Sequence, residues 1–205
     1  MTGAKYGQCA AIFGCAGTVL GLDERAFFAK ADPFGFILFG RNIESADQIR
    51  ALCTDLREVV GWYAPIFIDQ EGGRVQRLWS PLVKDWPAPF EHVQLAGKNA
   101  EQAVFARYFL IAQELRDLGI TANCAPVADI ARPKTHGILK NRCFGSDVTA
   151  VSRLARAAAN GLLEGGVLPV VKHIPGHGLA RVDSHMEAPV VIVAKASLAS
   201  SDFAA

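Results

Sequence analysis

The sequence of 205 residues is 51% hydrophobic and 20% charged, a composition that supports one sizeable apolar core and does not require a second domain. Its 21 basic and 20 acidic residues leave a net charge of +1, which provides no positive field for holding nucleic acid. The sequence has no run of about eighteen apolar residues and no signal-peptide pattern, so it predicts a soluble, cytoplasmic protein without a membrane partner.

The N-terminal half alternates short apolar segments with longer amphipathic ones, a pattern typical of strands and helices around a parallel sheet. Strands are expected at residues 9–13, 34–39 and 65–68, and helices at residues 23–30 and 45–60. The second helix opens at Ser45 and has Gln48 three residues later, so this pair predicts a capping box.

The C-terminal half continues the alternation. A helix is expected at residues 100–118, ending at Gly119, and a strand at residues 120–127. An alanine-rich helix at residues 147–164, capped by Ser146 or Asp147, precedes a strand at residues 167–171, and a last strand-like run covers residues 190–193. No internal repeat or linker is found, so residues 1–205 are expected to form one domain.

Polar clusters follow four successive predicted strands and indicate the fold class. They are Gly40-Arg41-Asn42, the segment 69–74, Asp129, and Lys172-His173. A barrel gathers all such strand ends around one mouth, whereas a doubly wound sheet uses those nearest its switch point. The sequence therefore predicts an α/β fold of the TIM-type (β/α)8 barrel class. Because a whole barrel needs about 250 residues, we expect this one to be incomplete and to lack its C-terminal units.

The densest polar segment runs from Lys172-His173 through Pro175-Gly176-His177-Gly178 to Asp183-Ser184-His185. A metal site of His173, His177 and His185 fits poorly, because these histidines lie on a loop rich in Pro and Gly and are not one helical turn apart. Single loop histidines commonly do no more than cap backbone groups. The third interpretation is acid/base catalysis, in which Asp183 orients the imidazole of His185.

The segment Asp69-Gln70-Glu71-Gly72-Gly73-Arg74-Val75-Gln76-Arg77 has two adjacent glycines at a strand end, which predict a tight turn. A carboxylate there can accept strong hydrogen bonds from two sugar hydroxyls, and Arg74 and Arg77 are candidates for binding an anion or a neighbouring carboxylate. The alternative is an internal salt-bridge network of Asp69, Glu71 and the arginines. In a third segment, 141–147, Arg142 by itself indicates only the start of a helix.

The cysteines form no Cys-x-x-Cys pair and mostly have apolar neighbours in the sequence. They are Cys9, Cys15, Cys53, Cys124 and Cys143. This pattern favours reduced, buried thiols in a reducing compartment.

Three of these segments together resemble glycoside hydrolase family 3, specifically its single-domain bacterial β-N-acetylhexosaminidases of peptidoglycan recycling. The segments are 69–77, Arg142 with Phe144-Gly145-Ser146-Asp147, and 172–178 with Asp183-Ser184-His185. The segment 35–42, Gly-Phe-Ile-Leu-Phe-Gly-Arg-Asn, also resembles the second strand of that family, so the resemblance covers essentially all 205 residues.

The resemblance implies a TIM-type barrel that removes terminal β-linked N-acetylglucosamine, with retention, from muropeptides carrying anhydro-N-acetylmuramic acid. It implies that the sugar hydroxyls are bound by Asp69, Arg77, Arg142, Lys172 and His173. It also implies that His185 is the acid/base on a mobile loop and Asp183 its partner. A histidine with an unperturbed pKa of about 6.5 can both give and take a proton near neutral pH. No metal or cofactor is expected, and the full-length protein is expected to be a monomer.

The nucleophile of that family is an aspartate after a later strand, and no residue of this sequence corresponds to it. Asp202 matches a helix-start aspartate instead. The 205 residues are therefore expected to be an N-terminal portion that is inactive by itself. A catalytically inactive, N-acetylglucosamine-binding fragment or pseudoenzyme is the competing hypothesis. A glucosidase or xylosidase is disfavoured, because those relatives usually take their acid from a second domain rather than from a pair such as Asp183 and His185.

Overall fold

Five parallel strands form the central sheet of the computed structural model, which describes residues 9–174, 176–182 and 186–205. These strands are β1 (Cys9–Gly14), β2 (Pro33–Leu38), β3 (Ile66–Ile68), β6 (Ala122–Asn123) and β7 (Leu168–Pro169). An antiparallel hairpin of β4 (Gln70–Gly72) and β5 (Val75–Gln76) directly follows β3.

Helices occupy most of the chain between the strands. They are α1 (Leu22–Ala31), α2 (Ala46–Val60), α3 (Pro89–Ala96), α4 (Ala100–Asp117), α5 (Gly137–Lys140), α6 (Val148–Glu164) and α7 (Lys195–Ala199), with 3₁₀ turns at Gly40–Asn42 and Gly97–Asn99. None of the described helices is both long and apolar enough to span a bilayer.

The strands lie in the sheet in the order in which they occur in the sequence, β1-β2-β3-β6-β7. Each pair of neighbours is parallel and is joined by a crossover that contains at least one helix. A doubly wound sheet reverses its direction of growth at a switch point, and no such reversal occurs among the described strands. The order is that of consecutive β/α units of a barrel, and the described strands leave the sheet open.

The main core lies between the sheet and the helix layer. Phe36 and Leu38 alternate along β2, as Ile66 and Ile68 do along β3, and all four are fully buried in one apolar cluster with residues of the helices. Because side chains on a strand alternate between its two faces, this spacing turns one face of the sheet toward the helices.

Helices α4 and α6 pack closely because glycine removes a side chain from their interface. A Cβ added at Gly161 would lie 2.4 Å from the carbonyl oxygen of Phe105, and one added at Gly165 would lie 2.4 Å from the Cβ of Ala112. The backbones of the two helices can therefore approach more closely than any larger residue would allow.

The helix ends agree with the sequence in part. Ser45 Oγ accepts a hydrogen bond from Gln48 N at 3.2 Å, as a capping box requires, but Gln48 Oε1 accepts from Glu44 N and not from Ser45 N. Of the two residues considered for the start of α6, Asp147 is the N-cap and accepts from Ala150 N at 2.8 Å. Gly119 follows Leu118, the C-cap of α4, and has a φ of +84°, which is the left-handed conformation typical of glycine at this position.

The prediction of a strand at residues 190–193 is wrong. These residues carry no strand and are exposed by 38% to 94%, because no described segment offers them a backbone ladder. The strands predicted at 120–127 and 167–171 are also shorter, since Pro126 and Pro169 lack the N–H that a continuous ladder needs. Pairing resumes at a single parallel bridge between Val127 and Lys172.

All five cysteines are free thiols in the structure. The expected burial is found for Cys15, Cys53 and Cys143, whereas Cys9 and Cys124 are only partly buried. Burial raises the pKa of Cys53 and Cys143 to about 12, while Arg57 and Arg142 respectively lower it by less. These thiols therefore stay protonated near neutral pH and behave as small apolar side chains.

Candidate active site

The candidate site lies where the carboxyl ends of β3, β6 and β7 meet. Asp69 directly follows β3, Asp129 follows β6, and Lys172 and His173 follow β7. Arg142 reaches the same place from the turn after α5, where its N–H donates to Leu139 O. In a parallel sheet these strand ends share one edge, which is why residues more than a hundred positions apart come into contact.

Asp69 binds two of the predicted cations. Its Oδ1 accepts a hydrogen bond from Lys172 Nζ at 2.9 Å, and its Oδ2 accepts from Arg77 Nη2 at 3.1 Å. Burial by itself raises the pKa of the Asp69 carboxyl, but Lys172 and Arg77 more than offset this and hold that pKa below its usual 3.8. Asp69 is therefore an acceptor-only group near neutral pH.

Glu71, two residues after Asp69, is completely buried. Arg142 donates to it through Nε and Nη2, each at 2.8 Å, in the two-pronged geometry that guanidinium and carboxylate groups favour. Lys172 Nζ lies 2.6 Å from Glu71 Oε1, so this lysine bridges Glu71 and Asp69. Burial lowers the pKa of Arg142, but hydrogen bonds and charge from Glu71 outweigh burial and leave it raised.

His173 is held between a carboxylate and a guanidinium. Its Nδ1 lies 2.5 Å from Asp129 Oδ2, and its Nε2 lies 3.3 Å from Arg142 Nη2. Because Arg142 can only donate, this arrangement assigns the proton of a neutral His173 to Nδ1 and leaves Nε2 as an acceptor.

Asp129 also organises the loop that follows β7. Its Oδ1 accepts from His177 N at 2.7 Å and from His173 N at 3.4 Å. Burial raises the pKa of the Asp129 carboxyl, but the hydrogen bonds from His173 and His177 N outweigh burial and lower it below 3.8.

The hairpin of β4 and β5 is fixed by buried polar side chains. Asn123, at the end of β6, accepts from Gln70 N at 3.0 Å and donates to Gln70 O at 2.9 Å. Arg107 of α4 donates to Glu71 O at 2.6 Å and to Pro87 O at 2.7 Å. Gly72 has a φ of +100°, and a Cβ there would lie 2.0 Å from Arg107 Nη2. The glycine pair predicted as a tight turn thus lets Arg107 approach the backbone of Glu71.

The arrangement combines fixed donors and acceptors that face an open edge. The side chains of Asp69, Arg77, Lys172 and His173 are each partly exposed, whereas those of Glu71 and Asp129 are buried. Alternating carboxylate and cationic groups of this kind can bind several hydroxyls of a neutral polar molecule at once. Of the salt-bridge network considered from the sequence, the pair of Asp69 and Arg77 is present, whereas Glu71 pairs with Arg142 and Lys172 instead of the hairpin arginines.

The polar cluster after β2 has a different role. Asn42 is buried and donates from Nδ2 to Cys15 O at 3.1 Å and to Gly17 O at 2.8 Å, while Arg41 Nε donates to Cys15 O. These side chains support the loop after β1. Arg74, a candidate from the sequence, is exposed on the hairpin.

Asp183 and His185, the predicted acid/base pair, lie outside the described residues. The metal hypothesis also depended on His185. Within residues 9–174, 176–182 and 186–205, no three His, Cys, Asp or Glu side chains are grouped as a metal ion would require. Asp202 follows α7 and pairs with Arg132, with 2.5 Å between Oδ2 and Nη2, and its side chain is 2% exposed.

Sequence reasoning did not select Glu71, Asp129 or Arg107 as site residues. Glu71 was considered only as a salt-bridge partner and Asp129 only as a polar residue at a strand end. The placement of both at the ends of apolar strands was the available signal. Arg107 lies on α4 and gave no signal, because only the folded chain brings that helix to the hairpin.

Known proteins resemble this chain in sequence and in fold. The family described as glycosyl hydrolase family 3 N terminal domain matches residues 22–205. A protein named Beta-hexosaminidase from Alkalilimnicola ehrlichii is 34% identical over 194 residues, which are 93% of this chain and 55% of that protein. The crystal structure of native NagZ from Neisseria gonorrhoeae has a TM-score of 0.89 and 30% identity, covering 98% of this chain and 59% of that one.

A second structure of NagZ from Neisseria gonorrhoeae, in complex with N-trifluoroacetyl-D-glucosamine, also gives a TM-score of 0.89, with 29% identity over 98% of this chain and 60% of that one. These matches confirm the predicted fold class, a TIM-type barrel that is incomplete in this chain. The chain spans about half the length of the curated relatives it matches. It belongs to glycosyl hydrolase family 3, through the N-terminal domain of that family.

Proposed function

We propose that the protein carrying this chain is a retaining exo-β-N-acetylglucosaminidase that removes terminal β-linked N-acetylglucosamine from peptidoglycan-derived muropeptides. One observation supports this most strongly. The partly exposed array of Asp69, Arg77, Lys172 and His173 lies at the strand ends of a chain that is similar to a named β-hexosaminidase and to a NagZ structure holding a glucosamine derivative.

In this proposal the array binds the N-acetylglucosamine hydroxyls. Asp69 accepts hydrogen bonds from hydroxyls, while Arg77, Arg142 and Lys172 donate to hydroxyl oxygens. His173 contributes the exposed part of its side chain. The ion pairs hold these groups in position before the sugar arrives, so little side-chain entropy is lost when it binds.

Proton transfer is assigned to His185, with Asp183 orienting its imidazole. The imidazole of histidine has an unperturbed pKa of about 6.5, so it can protonate the leaving oxygen and then accept a proton from water in the second step. His173 is less suited to this role, because its Nε2 faces the Arg142 guanidinium and is held as an acceptor.

The proposal extends to the setting of the reaction. We infer a cytoplasmic, monomeric enzyme that needs no metal or cofactor. We also infer that it binds neither nucleic acid nor membrane, because the balanced charge of the sequence gives no overall positive field. Size-exclusion chromatography with light scattering tests the monomer, and activity after dialysis against a chelator tests the absence of a metal.

Hydrolysis of p-nitrophenyl N-acetyl-β-glucosaminide by the protein expressed from its whole reading frame tests the activity, with p-nitrophenyl β-glucoside as the matched control substrate. We expect turnover of the first and not of the second. Saturable binding of N-acetylglucosamine by calorimetry without any turnover would instead support the sugar-binding, inactive alternative.

The role of His185 is tested with leaving groups of different quality. His185→Ala should lower cleavage of a poor leaving group, such as an alkyl N-acetyl-β-glucosaminide, far more than cleavage of the activated nitrophenyl substrate, because only the poor leaving group needs a proton. Equal losses for both substrates would remove His185 from the acid role.

A further inference from the structure

Glu71 is the most buried carboxylate of the site, and its side chain contacts both Arg142 and Lys172. Its side chain has no exposed surface, so it cannot contact a bound sugar. Its Oε2 accepts from Arg142 Nε, and its Oε1 lies within hydrogen-bond distance of both Arg142 Nη2 and Lys172 Nζ. Any influence of Glu71 on the substrate must therefore act through Arg142 and Lys172.

These contacts decide which donors of the two cations remain for a ligand. An ammonium group has three N–H donors, and Lys172 directs one to Asp69 and one to Glu71, which leaves one. Arg142 uses Nε and Nη2 on Glu71 and His173, and within the described part of the chain its Nη1 makes no hydrogen bond. Glu71 thus sets the direction of the remaining N–H groups.

The position of Glu71 is itself fixed by the scaffold. Arg107 donates to the Glu71 carbonyl at 2.6 Å, and Gly73 N donates to Trp86 O at 2.8 Å, so the hairpin is tied to α4 and to the segment before α3. A carboxylate on a backbone held in this way is a hydrogen-bond acceptor of fixed position for the two cations.

We propose that Glu71 is a positioning residue of the N-acetylglucosamine site, which aims the sugar-facing donors of Arg142 and Lys172 without touching the sugar. This inference rests on the proposed function and adds a buried residue to it. Replacing the carboxylate with an amide keeps the volume of the side chain but removes its charge and turns one of its two acceptor oxygens into an N–H donor. The hydrogen bonds to the two cations are weakened, and one of their N–H groups then faces another donor, so these donors lose their fixed direction.

The test compares Glu71→Gln, Glu71→Asp and wild type in the protein expressed from its whole reading frame. For Glu71→Gln we expect kcat/KM for p-nitrophenyl N-acetyl-β-glucosaminide to fall about 100-fold and the Kd of N-acetylglucosamine to rise at least about 10-fold, as the loss of hydrogen bonds to charged groups implies. Glu71→Asp keeps the charge and should recover part of both quantities.

Gln76→Leu is the matched control. Gln76 is buried in the same hairpin, and among the described residues its side chain bonds to backbone atoms alone, donating to Lys84 O at 3.2 Å and accepting from Trp86 N at 3.3 Å. Its loss should lower the thermal midpoint while leaving the Kd of N-acetylglucosamine within about threefold of wild type, because neither cation loses a partner.

The outcomes separate the two proposals. If wild type does not turn over the substrate, the proposed function fails. If wild type is active and Glu71→Gln folds with an unchanged Kd, the positioning role fails while the function stands. Should Glu71→Gln not fold, Glu71→Asp decides, and a folded Glu71→Asp with wild-type kcat/KM and Kd would overturn the proposal.

Discussion

Asp129 controls which nitrogen of His173 carries the proton. The distance of 2.5 Å between Asp129 Oδ2 and His173 Nδ1, together with the Arg142 guanidinium beside Nε2, leaves a neutral imidazole one favourable tautomer. The same two contacts also fix the orientation of the ring.

Replacing Asp129 with asparagine should weaken this control. An amide can present its N–H to Nδ1 and so favour the opposite tautomer, and it loses a charge-assisted hydrogen bond. We expect kcat/KM for the nitrophenyl N-acetyl-β-glucosaminide to fall about 10- to 100-fold. Asp147→Asn, at the N-cap of α6, is a suitable control because asparagine caps helices as well as aspartate does. Equal activity of the two variants would contradict the role of Asp129.

Individual residues also show what could not be predicted from the sequence. Asp69, Arg77, Arg142, Lys172 and His173 were all selected from motifs, and the structure brings them together. Glu71 and Asp129 were visible as polar residues at strand ends, but their function depends on partners about 40 to 100 positions away. Only tertiary structure supplies those partners.

The hairpin after β3 shows how an element can tie a loop to the scaffold. Its backbone is bonded by Asn123 from one side and by Arg107 from the other. Gly72 makes this possible, because its φ of +100° and missing Cβ leave room for the Arg107 guanidinium.

Gly72→Ala should therefore destabilise the protein and disturb the site together. We expect the free energy of unfolding to fall by about 2–5 kcal/mol, since a positive φ strains alanine and the added carbon overlaps buried neighbours. Urea denaturation measures this loss, and kcat/KM should fall with it because Glu71 is the preceding residue. The comparison variant is Gly40→Ala, where an added Cβ meets nothing within 4 Å.

The α4–α6 contact gives a second prediction at this scale. Gly161→Ala would place a carbon 2.4 Å from Phe105 O, so the helices must separate. We expect a loss of about 1–3 kcal/mol in the free energy of unfolding, as for other overpacked interfaces. Asn160→Ala, at the exposed neighbouring position of α6, should be neutral or slightly stabilising. A stability of Gly161→Ala equal to wild type would show that the interface has more room than the structure indicates.

Elements were predicted well where the sequence pattern is local. The helices at α2, α4 and α6 carry caps or glycine ends, and each observed helix differs from the expected one by a single residue at one end. The run at 190–193 was misjudged because apolar content alone does not make a strand. A strand also needs a neighbouring backbone, and the sequence does not show whether one is present.

At the scale of the whole molecule, the site carboxylates link folding to pH. Asp69 and Asp129 both have pKa values below their usual 3.8 in the folded protein. A carboxyl whose pKa is lowered by folding contributes stability that is fully present above the unfolded value and is lost as the pH falls through the folded value.

We therefore expect the free energy of unfolding to decline as the pH falls below 3.8. The stability difference between wild type and Asp129→Asn should be largest near neutral pH and should shrink in acid, because the wild-type carboxyl then becomes protonated as well. Urea denaturation at a series of pH values measures both curves. A difference that stays constant down to the acid transition would contradict this assignment.

The fold class could be predicted because its signal is spread over the whole chain, in polar clusters that follow several strands in turn. The sequential strand order has a further consequence for how the protein is made. Each new strand pairs with the one synthesised just before it, so the sheet can grow at its trailing edge while the chain is still leaving the ribosome. The proposed sugar-binding array can form only after Lys172 and His173 emerge, when the earlier strands and Arg107 are already in place.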